Sequence, residues 1–381
     1  MRGTTYKDAG VDVGLGNDAS KILYNASQLT WENRKDQLGK LIVPFDDFSG
    51  IRYIKVSDLP EGTVMNMGFD GVGTKMELAE RINDHTTIAN DLFAMVCDDA
   101  IVRGAEPVLI GSILDVNSLR GNIKQVRQLA EGYVSAAKDA GVAVVNGEIA
   151  ELPGKINGFG DFNYNWGAGV VWFANEKRLF TGMEIKEGDS LVGLREEGFR
   201  SNGLSLVRKI MKENYGEDWH LSNKKGEDGL YRTIERAILT PSKIYSKAVV
   251  DMFGGWDLKR EPKVEVHGIA HITGGGIPEK VGRMLKPSGL GAMIDKPFKL
   301  SMIMMYTQIL GKVSDKEAYK TWNMGQGMVI ASPNPEGVIN VAKSHGIKAK
   351  TIGVITKDSK IRIKNMGIYS KNQEMLTFNI E

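Results

Sequence analysis

Asp70-Gly71-Val72-Gly73-Thr74-Lys75 brings a carboxylate, two glycines, a hydroxyl and an ammonium into six residues, directly after the apolar-leaning run Val64-Met65-Asn66-Met67-Gly68-Phe69. The run reads as a strand and the glycines as its exit. Glycine lets successive backbone N–H groups wrap an oxyanion, Asp70 can hold a divalent cation, and Lys75 can neutralise phosphate charge. The spacing fits neither a Walker A loop nor a Gly-x-Gly-x-x-Gly dinucleotide fingerprint. Asp-Gly is also a turn signal, so a tight hairpin is the alternative for the stretch taken alone.

Working outward, 381 residues exceed one ordinary core, and two domains are expected, divided near Phe173 to Glu176: residues 1–174 and residues 175–381. Lys plus Arg number 49 against 47 Asp plus Glu, a formal charge of +2, so no broad field favours nucleic acid or a membrane. The single cysteine, Cys97, rules out an internal disulfide and a cysteine-rich zinc module and suits a reducing compartment. Met1 to Gly16 lacks a signal-peptide pattern, and no run nears the ~20 apolar residues of a membrane span. The expectation is a soluble cytoplasmic protein.

Strand-like and helix-like patterns alternate through the first half. After the run to Phe69 come a helix from Thr87 to Val102, an extended run from Pro107 to Leu114, and a helix from Asn122 to Ala140 with Asn122 and Gly141 as its caps. Val142 to Val145 and Trp166 to Phe173 return to strand character. The second half shows a turn at Ile185 to Gly193 entering a strand, helices around Leu204 to Asn214 and Ser242 to Met252, and strands around Gly291 to Ile294, Gly327 to Ile330 and Lys350 to Ile355. The fold class is α/β or α+β, with two mixed domains.

Three aspartates lie in the apolar pattern of the Thr87 to Val102 helix. At about 100° per residue, Ile88, Leu92, Met95 and Val96 form an apolar arc with Asp99 near its middle and Asp91 and Asp98 at its edge. A carboxylate aimed at the core needs a cation: a buried ion pair with Arg103 or another base, or magnesium held by Asp99 with Asp91 or Asp98 nearby. Glu148, in Asn146-Gly147-Glu148-Ile149-Ala150-Glu151, falls at the carboxyl end of a strand, where α/β sheets place ligand groups, with a surface loop as the alternative for Glu151 and the Pro153-Gly154 pair. In the second half, Arg200-Ser201-Asn202-Gly203 opens a helix, and His271-Ile272-Thr273-Gly274-Gly275-Gly276 is a glycine triplet behind a histidine able to carry protons. A flexible connector and hydrogen-bonded structural histidines at His271 and His267 are the alternatives.

Tyr6-Lys7-Asp8-Ala9-Gly10-Val11-Asp12, the Asp70 to Lys75 loop, Gly104-Ala105-Glu106-Pro107, Gly147-Glu148 with Ala150-Glu151 and Pro153-Gly154, Ser201-Asn202-Gly203, Ala270 to Gly276, and Asn323-Met324-Gly325-Gln326-Gly327-Met328 follow one another in an order that resembles the phosphoribosylformylglycinamidine cyclo-ligase family over nearly the whole chain. The resemblance implies ATP-dependent closure of formylglycinamidine ribonucleotide to aminoimidazole ribonucleotide, with release of ADP and phosphate, in purine biosynthesis. It implies an N-terminal domain whose strands join a second copy in a barrel-like homodimer core, a C-terminal α/β domain, and ATP between them. By position, Asp70, Asp99 and Glu148 resemble the family's Mg2+ ligands. Gly71, Val72, Gly73, Thr74, Asp91, Gly147, Ser201, Asn202, Gly203, Gly274 and Gly275 resemble its nucleotide- and phosphate-binding positions, and Asp70, Lys75 and His271 its catalytic ones, His271 as proton carrier.

The chain departs from the family's pattern at several places. Arg200 stands where the family usually has His before Ser-Asn-Gly, Ile149 where it has Thr, and Asp98 where it has Asn before Asp. Ser112 or Asp115 replaces a usual Leu-Asp-Tyr, and the stretch before Ile51 is poor in glycine. Arginine grips phosphate but is no general base. The alternatives are another ATP-using member of the superfamily, such as a thiamine-monophosphate kinase, a selenophosphate synthetase or formylglycinamidine ribonucleotide synthetase, and a non-catalytic nucleotide-binding member.

Overall fold

The structure, a computed structural model, describes residues 4–43, 52–222, 236–372 and 374–380; the glycine-poor stretch before Ile51 lies largely outside them. Helix α1 (Val13–Thr30) leads to a short ribbon of β1 (Leu41–Ile42) and β2 (Tyr53–Ile54). Asp12, from the first motif, starts α1 as its N-cap, accepting from the amides of Gly14 and Leu15.

The first sheet has the order β3-β6-β4-β5, with β3 (Thr63–Gly71) and β4 (Glu106–Val116) antiparallel to β6 (Tyr164–Asn175) and β4 parallel to β5 (Ala143–Glu151). Helix α4 (Ile123–Ala140) makes the crossover between the two parallel strands, as a parallel connection requires. Gly141 closes α4 in the left-handed conformation, φ 73°. Asn122 does not cap it. Its side-chain Nδ2 instead donates to the carbonyls of Ser118 and Asp161, which fastens the side chain to the preceding turn, and its oxygen takes no bond from the first helix amides. Strand β5 also runs on through Glu151, so Glu148 sits within a strand rather than at its end or in a loop. Glu151 fastens the region by accepting from the amides of Asp12 and Leu119.

The second sheet has the order β13-β12-β9-β11-β7-β10-β8: β7 (Ser190–Arg195), β8 (Gly268–His271), β9 (Gly291–Ile294), β10 (Gln326–Ser332), β11 (Ala349–Thr356), β12 (Lys360–Lys364) and β13 (Met375–Asn379). Every residue of β10 is buried. Val329 and Ala331 join one apolar cluster with Ile277 and Val281, while Met328 and Ile330 join another with Val249 and Val338, so helices cover both faces of this sheet.

Helix α3 (Ile88–Ile101) lies between the halves. It packs on β3, β6 and α4 from one side and on helix Ser246–Phe253 and β8 from the other. A helix apolar all round is a buried helix, and this inverts the expectation drawn from its wheel. Asp91 and Asp98 are fully buried, whereas the Asp99 side chain is 54% exposed. Arg103 is not their partner, since its guanidinium donates to the carbonyls of Phe180 and Thr181. Asp91 instead accepts from Lys75 Nζ at 2.7 Å and from Ser242 Oγ, and Lys75, at the start of α2 (Lys75–Ile82), also donates to the Thr240 carbonyl. The ammonium expected to meet phosphate is therefore fully buried in an ion pair of the first half, and the Lys75 bond to the Thr240 carbonyl and the Ser242 bond to Asp91 tie that pair to the second half.

Two outcomes are expected. Gly132, inside α4, lies so close to the Thr86 carbonyl that an added Cβ would overlap its oxygen. Gly132→Ala should lower the thermal midpoint through a clash of about 1–3 kcal/mol, although alanine by itself favours a helix by about 1 kcal/mol. Lys75→Met leaves Asp91 buried without its cation and should cost about 3–5 kcal/mol in denaturant unfolding. An unchanged midpoint would mean that the pair holds nothing together.

Candidate active-site cleft

Three glycine-bearing loops and the last turn of α3 meet at one cleft. The first is the exit of β3, where Asp70 and Gly71 are still strand residues and Gly73 turns with φ 71° into α2. The second is Ser201-Asn202-Gly203, which opens α5 (Leu204–Tyr215); the third is the turn after β8, from His271 to Gly275. Thr74 Oγ1 and Ser205 Oγ bond at 2.9 Å, a Cβ at Gly73 would stand 4.0 Å from the Ser201 carbonyl, and one at Gly274 would stand 3.7 Å from Asn202 Nδ2. Val72 is the exception in its loop, buried in the core.

Asp70 and Asp99 lie near enough for the charge of one to act on the other. Burial pushes the Asp70 carboxyl above its ordinary range; the Gly71 amide works against this and the Asp99 charge adds to it. Burial would also raise Asp99, but the hydrogen bond from His271 and the positive groups around it hold Asp99 below the usual carboxylate range. His271 Nδ1 lies 2.7 Å from Asp99 Oδ1, and His271 Nε2 lies 2.8 Å from an Arg200 guanidinium nitrogen. Only 2% of the His271 side chain is exposed. Both ring nitrogens are thus engaged, and the candidate proton carrier of the sequence stands between Arg200 and Asp99. His267, by contrast, is held by Asp189 and Glu265, remote from these loops in partner and position.

Arg200 and Asp98, two of the places where the chain departs from the family pattern, are in contact. Their ion pair is 2.9 Å long, with the side chains 1% and 0% exposed. Asp98 Oδ1 also accepts from the amides of Tyr245 and Ser246, and Arg200 reaches Glu196 Oε2 and the Lys243 carbonyl at 2.9 Å each. Glu196 and Tyr245 were missed at the sequence level. An acidic residue four positions before a buried arginine was the available signal, but nothing local marked Arg200 as buried. The late Asn323 to Met328 segment supports this turn from behind: Asn323 Nδ2 donates to the Gly198 carbonyl, and the Gln326 and Gly327 region packs on Tyr245.

Glu148 does not join Asp70 and Asp99. Among the described residues no group of three or more His, Cys, Asp or Glu is placed to hold a metal ion. Gly71, Gly167, Ile113 and Glu148 form one cross-strand row, which puts Glu148 three strand spacings from the cleft's edge, about 14 Å. With Gly147 it lines a separate 390 Å³ cavity beside Tyr24, Trp31, Arg52 and Ser112, and Ser112 itself is tied to the Tyr133 hydroxyl. Asp115 is a half-buried β4 residue opposite Asn165. Of the three carboxylates, Asp70 and Asp99 are the two whose charges act on one another. The buried oxygens Ser201 Oγ and Asn202 Oδ1 lack protein partners, as groups awaiting a polar ligand would.

Among solved structures, thiamine-monophosphate kinase from Stenotrophomonas maltophilia superposes with a TM-score of 0.58 at 11% identity, covering 90% of this chain and 96% of that one. The hydrogenase maturation protein HypE of E. coli gives 0.57 at 16% identity, covering 95% and 97%. At such identities these likenesses speak for the fold alone. Residues 52–163 match the N-terminal domain, and residues 186–364 the C-terminal domain, of AIR synthase related proteins. Phosphoribosylformylglycinamidine cyclo-ligases of Bacillus cytotoxicus and Carboxydothermus hydrogenoformans are 34% identical over 360 residues and 33% over 368, covering 93% and 96% of this chain and 96% and 100% of the relatives. Similarity of that extent, across both domains and through the cleft motifs, means that the chain belongs to the phosphoribosylformylglycinamidine cyclo-ligase family.

Proposed function

We propose that the chain closes the imidazole ring of aminoimidazole ribonucleotide from formylglycinamidine ribonucleotide, using ATP with Mg2+ and releasing ADP and phosphate. The observation that carries this reading is the convergence of the Asp70 to Thr74, Ser201 to Gly203 and His271 to Gly275 loops on the Asp70 and Asp99 carboxylates. ATP supplies the phosphoryl group that makes the formyl oxygen a leaving group. The protein's part in such a transfer is positioning and charge neutralisation. Asp70 and Asp99 hold the cation, and the small residues from Gly71 to Thr74 let backbone come close to phosphate. Ser201, Asn202 and the Gly274-Gly275 turn orient the substrate from the other side. Lys75 and Asp91 act beneath the loop, fixing where α2 starts.

The same reading makes the protein a homodimer. Met65, Met67, Phe69 and Ile113 are 58%, 48%, 76% and 58% exposed on the first sheet, and the Phe69 ring lies flat over Gly169. A contiguous apolar sheet surface of this kind marks an interface, and a second copy of the same sheet would cover it by completing a barrel. Among the described residues no helix is long and apolar enough to cross a membrane, and Cys97 is a buried free thiol, which suits a cytoplasmic enzyme.

Incubating the protein with formylglycinamidine ribonucleotide, ATP and Mg2+ should give aminoimidazole ribonucleotide and ADP one for one, the amine being detected by diazotisation. ADP without the amine would replace this reading by a kinase-like one, and neither product would leave a binding role. Asp70→Asn should lower turnover about 10²-fold or more and raise the Mg2+ requirement. Phe69→Arg should halve the mass seen in sedimentation, and a monomeric unmutated protein would refute the dimer.

A further inference from the structure

Arg200 meets no phosphate in the arrangement just described, yet few side chains of the molecule are more constrained. Its backbone takes the left-handed conformation, φ 61°, which non-glycine residues adopt at a cost of order 1–3 kcal/mol when the surroundings fix them. Its guanidinium lies 5.2 Å from the centre of the Tyr245 ring. One terminal nitrogen serves Glu196 and the Lys243 carbonyl; the other serves Asp98 Oδ2 and His271 Nε2. Burial opposes the positive charge, but the Glu196 and Asp98 carboxylates outweigh it and hold Arg200 cationic.

A guanidinium has donors and no acceptor. The nitrogen of His271 that faces it therefore accepts, which leaves the ring's N–H on Nδ1, and Nδ1 lies 2.7 Å from Asp99 Oδ1. We propose that Arg200 is a positioning residue that fixes the Nδ1–H tautomer of His271, so that His271 donates to Asp99 and sets the direction in which that carboxylate opens onto the cleft. Carboxylates that ligate a metal are themselves held by hydrogen bonds from a second layer of groups, the place that His271 takes behind Asp99. Lysine could not replace Arg200, because one ammonium on a flexible stem does not fork between a carboxylate and a ring nitrogen in a fixed plane. The orientation of Asp99 toward a cation rests on the proposed function; the tautomer of His271 does not.

The test begins with the unmutated protein labelled with 15N-histidine at one fixed pH. The chain has five histidines, and the His271 signals are those missing from His271→Asn. Nε2 should resonate as an unprotonated nitrogen and Nδ1 as a protonated one; the reverse assignment overturns the proposal. The double variant Asp98→Asn with Arg200→Met then removes the fixing donor without stranding Asp98 as a buried charge. It should show a mixture of tautomers and bind Mn2+, followed by electron paramagnetic resonance, about 10- to 100-fold more weakly. A folded double variant with the original tautomer and unchanged Mn2+ binding overturns the proposal. Should the unmutated protein bind no Mn2+, the cation reading fails, while the nitrogen spectrum still decides whether Arg200 sets His271.

Discussion

The carboxylate of Asp98 ties the cleft together. It projects from α3, in the first half of the chain, and accepts the amides of Tyr245 and Ser246 at the start of helix Ser246–Phe253 in the second half. First-turn amides of a helix need acceptors and favour negative charge. They usually find both in a local capping residue, but Tyr245 offers no side-chain cap, and a carboxylate from another helix takes the place. The second oxygen of Asp98 holds Arg200 and, through it, His271. Asp99, one residue on and turned about 100° around the helix, opens to the cleft.

Asp91 repeats the device one heptad earlier. Two turns apart on α3, Asp91 and Asp98 both face residues 240–246. Asp91 meets Lys75 and Ser242, with Thr240 on the same lysine, and Asp98 meets Arg200, Tyr245 and Ser246. Asp98 is buried with a cation on one oxygen and two amides on the other, the condition under which an internal ion pair does not destabilise a fold, whereas Asp91 gathers Lys75 and Ser242 on Oδ1 and leaves Oδ2 without a partner among the described residues. The two buried aspartates thus hold one face of α3 against residues 240–246, and Asp99 leaves the helix beside the second of them.

The elements with strong periodic patterns were legible in the sequence. The extended run Pro107 to Leu114 lies inside β4, the helix ending at Gly141 is α4, and the motif order led to the right family. The wheel of α3 was misleading because the method assumes one face to water, and α3 has almost none: twelve of its fourteen residues are buried. Once packing surrounds a helix, a carboxylate's position relative to the apolar arc no longer tells which way is out. Arg200 was unreadable for a different reason. Two of its partners, Asp98 and His271, lie 102 residues before it and 71 after it, and only the folded chain brings them to one place. The carboxylate at Glu148 looked equivalent to Asp70 and Asp99 in sequence, yet strand register sets it at the far edge of the sheet.

That separation says what kind of object the first sheet is. A divalent cation of the magnesium type binds oxygens at about 2.1 Å, so carboxylates on strands about 14 Å apart cannot share one within a single chain. The sheet also ends in two outer strands, β3 and β5, and leaves Met65, Met67, Phe69 and Ile113 uncovered. Bare edges and a bare apolar surface are liabilities that folds remove by pairing or closure. A second copy laid edge to edge, as in the proposed dimer, would remove both at once.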